Sequence, residues 1–148
     1  MKSLKRIIIG IAVLVALVYL VVIPYIHSEA RKFSPAKTVV LNLKGSELEV
    51  DYSSPSKKGR VIFGNLVPYG KIWRTGANEP TTFTTTEPIK IIDKTLPAGK
   101  YSLWTIPDQN SWKVIFNTQI PSWGVTRVDG NQTTHEIKYD YLTVEVPV

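Results

Sequence analysis

The segment with the most chemistry per residue runs Pro68-Tyr69-Gly70-Lys71-Ile72-Trp73-Arg74-Thr75-Gly76-Ala77-Asn78-Glu79. Tyr69 and Trp73 can offer flat apolar faces, while Arg74, Asn78 and Glu79 supply directed hydrogen bonds. A mostly apolar wall with a few oriented polar groups is how a sugar, peptide or carboxylate is held. The same residues also have a purely structural use. Arg74 can pair with Glu79 across the loop, Asn78 can cap a turn, and Gly70 and Gly76 can supply positive φ. The two uses differ in what they expect of Arg74→Ala. Loss of a buried pair costs about 3–5 kcal/mol, whereas an unchanged melting temperature speaks against that role.

A second candidate set precedes the first. Ser53-Ser54-Pro55-Ser56-Lys57-Lys58-Gly59-Arg60 could present hydroxyls and the cations Lys57, Lys58 and Arg60 to an anion, or could be a solvated loop. Catalytic signatures are scarce. The chain has no cysteine and two histidines, His27 and His135, so thiolate chemistry and a His-rich metal centre fall away. His135 follows Thr133-Thr134 with no nucleophile elbow nearby. A glycosidase needs two carboxylates across a cleft; Glu79 can be one, and nothing distinguishes a second. Walker, Rossmann and metal-loop motifs are missing, so the reading implies no cofactor and no metal. Binding is favoured over catalysis, and the alternative is an exported hydrolase working through Arg74, Asn78 and Glu79 on carbohydrate or peptide.

Two kinds of element must position these residues. From Ile7 to Ile26 there is no charge, and the run is almost wholly aliphatic. Twenty residues at helical rise reach about 30 Å, the thickness of a bilayer's hydrocarbon layer. Lys2, Lys5 and Arg6 precede it and place the amino terminus in the cytoplasm. The expectation is a basic tail over 1–6, a transmembrane helix over 7–26, a stem over 27–36 and an extracytoplasmic domain over 37–148. The alternative is a signal peptide cut after Ala30, since Ser28-Glu29-Ala30 has the small-x-small form. Both routes export the domain. Of the chain's net charge of +6, +4 belongs to residues 31–148. That suits solubility and an anionic membrane surface; nucleic acid is not an expected partner. Membrane lipid around 7–26 is, together with an envelope glycan, peptide or protein.

Beyond the stem the pattern has period two. Val39, Leu41 and Leu43 form one alternating run, and Leu48, Val50 and Tyr52 another, joined at Lys44-Gly45-Ser46. Thr81–Glu87, Ile89–Ile92, Lys100–Ile106 and Trp112–Asn117 read as strands, with turns at Asp93-Lys94 and Pro107–Asn110. Leu96-Pro97-Ala98-Gly99 reads as a sandwich corner before a buried Tyr101. A last pair is expected over Gly124–Val128 and His135–Val146, reversing at Asp129-Gly130-Asn131. In the final run Ile137, Tyr139 and Tyr141 share one face and Leu142, Val144 and Val146 the other. The switch near Tyr141 implies a bulge or a change of sheet. Trp104, Trp112 and Trp123 read as core or rim aromatics. About eight short strands without helical spacing make an all-β, antiparallel β-sandwich behind one N-terminal helix.

The blocks Tyr52–Gly64 and Leu66–Glu79, then Leu96–Leu103, Thr105-Ile106-Pro107, Trp112–Asn117 and Trp123-Gly124, closely resemble the family of domain of unknown function 2911. The resemblance covers about residues 45–148 in order and departs at Thr118–Ser122. It implies an exported bacterial protein, of a kind found mainly in Bacteroidetes, behind a signal peptide or anchor. It implies no particular activity.

Overall fold

The computed structural model describes residues 2–43, 45–125 and 134–148. Two compact units divide the chain, one up to Phe33 and one over Ser34–Val148.

The first unit is helical: α1 spans Lys2–Leu17, a π turn spans Val18–Val22 and α2 spans Ile23–Phe33. Pro24 explains the π turn. Its nitrogen carries no hydrogen to bond Leu20, and its ring crowds that carbonyl. The ladder there shifts by one, with Ile23 N–H donating to Val18 O. Helix continues to Phe33 through most of the segment read as a stem, helped by an exposed Glu29–Lys32 ion pair. Ser3–Phe33 is long and apolar enough to cross a membrane. Such a helix near an amino terminus is a signal sequence or an anchor.

Among the described residues the second unit has nine strands: β1 Ala36–Leu43, β2 Ser46–Ser53, β3 Trp73–Arg74, β4 Thr82–Thr85, β5 Ile89–Ile91, β6 Lys94–Leu96, β7 Gly99–Pro107, β8 Ser111–Asn117 and β9 Asp140–Pro147. All pairings between them are antiparallel. Seven form one sheet in the order β1-β2-β4-β7-β8-β9, with β3 also on β7, and β5-β6 form a small second sheet. The expected all-β architecture is therefore present, with layers of unequal size.

Register puts the apolar residues on one face: Phe83 opposite Tyr101, Leu103 opposite Phe116, Phe116 opposite Leu142 and Val114 opposite Val144. Onto that face the β5-β6 hairpin brings Ile89, Ile91 and the fully buried Leu96. Phe116 meets Phe83 and Tyr101 edge-on, the geometry aromatic quadrupoles prefer. Tyr101 also closes the Pro-Gly corner, its hydroxyl donating to Pro97 O at 3.1 Å. Gly99 suits that corner through its φ of +155°, which L side chains rarely adopt, rather than through lack of space beside Tyr101.

The opposite face carries Ser102, Trp104, Ile115 and Asn117, all buried. Trp104 Nε1 donates to Ser102 Oγ at 2.9 Å, and His135 packs edge-on against the indole. The expected irregularity near Tyr141 is a bulge: Phe116 pairs with Leu142 and Asn117 with Asp140, leaving Tyr141 without an opposite.

Three details differ from the sequence expectation. The hairpin turn is Ile92-Asp93, with Ile92 at φ 58°, because Ile91 pairs with Lys94. Gly124 and Val125 are not strand, and Ile137–Tyr139 is a 3-10 turn rather than the start of β9. Here side-chain bonds override alternation: Asn117 Nδ2 donates to Glu136 O at 3.0 Å and His135 reaches Asp140 at 2.7 Å. Lys44 of the first turn, residues 126–128 and the reversal at 129–131 lie outside the described residues.

Candidate functional site

β3 and β4 lie in one lane along β7. β4 pairs with Gly99–Ser102 and β3 with Trp104 and Thr105. Between them the chain leaves the lane over Thr75–Thr81 and returns, and both ends of this excursion are fixed to Leu103. Thr75 Oγ1 donates to Leu103 O at 2.8 Å, and Leu103 N–H donates to Thr81 O at 2.8 Å. Thr81 Oγ1 closes the loop onto Thr75 O at 2.8 Å.

Gly76 is required by this closure. A Cβ there would sit 2.8 Å from Thr81 Oγ1 and 3.1 Å from Ser53 O. Asn78 is buried, holds a left-handed φ of 60° and donates from Nδ2 to Ser34 O at 3.4 Å. Asn78 O accepts from Gly124 N–H at 2.9 Å. Gly124 is itself confined, since a Cβ would meet Asn78 O at 3.0 Å and Arg74 Cδ at 3.3 Å. The separated blocks Thr75–Asn78 and Trp123-Gly124 thus form one packed corner.

Upstream, the irregular segment from Ser54 to Ile72 folds into tight local turns. Val67 N–H donates to Ile62 O at 2.8 Å and Gly64 N–H to Val67 O at 2.9 Å. Gly64 has a φ of 82° and lies under Tyr69, whose Cε2 would be 2.8 Å from an added Cβ. Tyr69 therefore braces this loop. Gly70 N–H ties the segment to Pro107 O at the end of β7 at 2.9 Å.

That tie leaves an open cleft of about 1240 Å³ between the segment and the ends of β3, β7 and β8. Phe63, Trp73, Thr105 and Trp112 line it, with Phe63 and Trp112 in edge contact at 4.7 Å. Four cations line it too: Lys57, Arg60, Lys71 and Arg74. Among the described residues no carboxylate does. The structure thereby joins parts of the two candidate sets, Trp73 and Arg74 with Lys57 and Arg60. It does not bring Tyr69, Asn78, Glu79 or Lys58 to the same lining. Trp112, read from the sequence as a core or rim aromatic, is on the rim; Lys71, Phe63 and Thr105 are not among the candidates. Lys71 stands in the same run as Trp73 and Arg74, and Phe63 and Thr105 are marked only by falling in the family blocks.

The charges differ in how they are held. Arg60 is fixed, donating from Nε to Lys57 O at 3.0 Å and from NH2 to Ser56 O at 2.8 Å. Arg74 is half-buried, and its guanidinium makes no hydrogen bond or ion pair among the described residues. Burial lowers its pKa from the usual value, with no opposing carboxylate raising it. It stays charged at physiological pH all the same. The expected Arg74–Glu79 pair is absent. A partly desolvated cation without a partner is costly to the fold alone and useful to a ligand that brings the anion.

The His135 site has a different character. Its Nε2 lies 2.7 Å from Asp140 Oδ1, which also accepts from Asn117 Nδ2 at 2.7 Å. The His135 side chain is 4% exposed. Ser102, on this face, commits its hydroxyl to Gln119 O at 2.6 Å. The arrangement is a packed polar network that locks the 3-10 turn to β8. Among the described residues, no three His, Asp or Glu side chains gather as a metal site.

A profile of the family described as Protein of unknown function (DUF2911) matches residues 34–148. The chain belongs to this family. The match begins where the second compact unit begins, and includes β1, upstream of the recognisable blocks. No curated protein and no solved structure matches the chain.

Proposed function

We propose that the chain is a single-pass, membrane-anchored protein whose domain lies outside the cytoplasm, on the periplasmic side. There the cleft binds a carboxylate-bearing ligand of the cell envelope, an acidic glycan or peptide. The observation that carries this reading is the half-buried Arg74, unpaired among the described residues, on a cleft that those residues line with four cations and no carboxylate. A guanidinium fork matches a carboxylate with two parallel bonds, and Trp73, Trp112 and Phe63 supply apolar contact area beside it. Lys57 and Lys71, exposed at the rim, add attraction that weakens as salt rises.

The test is calorimetric titration of the full chain in nanodiscs with oligogalacturonate, an acidic peptide and a neutral oligosaccharide. The acidic probes should bind and the neutral one should not. Arg74→Gln should weaken binding at least about tenfold, the loss expected for a charge-assisted bond. Its melting temperature should hold or rise, because a desolvated charge is removed and no partner among the described residues is left behind. Equal binding by Arg74→Gln, or equal binding of the neutral sugar, would defeat the proposal. An uncleaved Met1 terminus by mass spectrometry supports the anchor, and a terminus just after Ala30 opposes it.

A further inference from the structure

β9, at one end of the large sheet, is guarded. Lys94 Nζ, from the β5-β6 hairpin, donates to Thr143 O at 2.7 Å, Tyr141 bulges from the ladder and Pro147 ends the strand. β1, at the other end, pairs among the described residues only with β2, and all its residues are exposed. Val39, Val40, Leu41 and Leu43 are 49–51% exposed. No proline, glycine or bulge interrupts Ala36–Leu43, and Lys37 is its sole charge. A long apolar edge without such guards is a template for another strand.

Register fixes which backbone groups face outward. Ser54 N–H donates to Pro35 O at 2.9 Å, one step beyond the Ala36–Ser53 pair. Bonded pairs alternate along an antiparallel ladder, so Lys37, Val39, Leu41 and Leu43 turn their N–H and C=O groups to β2. Those of Thr38, Val40 and Asn42 point to the open side.

We propose that β1 of a second copy occupies this edge, antiparallel, about a two-fold axis through Val40. In that register Val40 bonds Val40 of the other copy, Thr38 bonds Asn42 and Asn42 bonds Thr38, so each of these outward groups meets its complement. Between them Val39 lies opposite Leu41 of the other copy, twice, an apolar cross-strand pair. Charge permits it: the two Lys37 residues fall at opposite ends, about 20 Å apart, beyond the screening length at physiological salt. A one-strand contact falls short of the roughly 1,000 Å² that stable soluble complexes bury. The pairing therefore rests on the anchored reading, in which a shared membrane raises effective concentration.

The cysteine-free sequence makes the test direct. Full-length Val40→Cys is oxidised mildly in its native membranes, beside a Lys90→Cys control on the small hairpin. Bonded partners have Cα atoms about 5.5 Å apart, a common span for a disulfide. Val40→Cys should therefore run mostly at twice the chain mass and Lys90→Cys at the single mass. Coexpressed Thr38→Cys and Asn42→Cys chains should cross-link to each other and neither to itself, which serves if Val40→Cys accumulates poorly. Membrane-bound Val40→Cys no more cross-linked than the control, or linked to a chain of another mass, overturns the pairing alone. A chain found only in the soluble fraction overturns the anchor and the pairing with it.

Discussion

At the β9 end of the large sheet, the second sheet closes over Leu142 and Val144 and inserts Leu96 with no exposure. At the β1 end every residue of the strand is exposed among the described residues, and the strand is held by its ladder and by polar ties. Asp51 on β2 accepts from Thr38 Oγ1 at 2.7 Å and from Lys100 Nζ of β7 at 3.4 Å. One end is thus secured by apolar burial, which is dense and insensitive to pH. The other depends on hydrogen bonds and charge, and leaves its apolar groups unused. The difference shows that period-two alternation marks a strand without saying whether its apolar side is covered.

Substitutions can break or sharpen this contrast. Leu96→Ala should have the largest effect, lowering unfolding free energy by about 2–5 kcal/mol through lost burial and a residual cavity. Denaturant titration of the full chain in detergent measures it, and a loss under about 1 kcal/mol would mean the hairpin is not part of the core.

Asp51→Asn comes next and should depend on pH. The Thr38 hydroxyl is the main group holding the Asp51 carboxyl below its usual value; burial opposes it, and Lys100 adds to the lowering. A lowered folded pKa gives stability that is present above the unfolded value, near 3.9. It is lost as pH falls through the folded one. The gap in melting temperature between wild type and Asp51→Asn should therefore be open at pH 6 and close towards pH 2. A gap that persists at low pH would assign the effect to something other than this ionisation.

Leu41→Thr should have the smallest effect, within about 0.5 kcal/mol in detergent-separated chains, as for a surface position. A much larger loss there would show that the two ends are not so different.

The sequence displays the strands whose alternation meets a buried face over several residues, as in Tyr101–Thr105 or Leu142–Val146. β3 is not legible in it, because two residues become a strand only where β7 extends beyond β4. The helix to Phe33 is masked by the polar composition of His27–Phe33, although Glu29 and Lys32 are spaced for a helical pair. Glu136–Tyr139 alternates like a strand, and its conformation is decided by bonds from Asn117 and His135 that no local pattern reveals.

The site was half legible for the same reason. Trp73 and Arg74 announce themselves by type, as do Lys57 and Arg60. Their meeting depends on Gly70 bonding Pro107 across the fold. Asn78 and Glu79 stand beside Arg74 in sequence, but the Thr75–Thr81 excursion carries them off the lining of the cleft.

The extra residue at Tyr141 has a further consequence. It sets the sidedness of what precedes it: with the bulge, Asp140 shares a face with Asn117 and can reach His135. Exchanging the Tyr141 ring for another side chain leaves that geometry alone. Deleting the position would rotate Asp140 to the opposite surface and take its carboxylate away from the buried imidazole. At this point the protein should tolerate many letters and no gap.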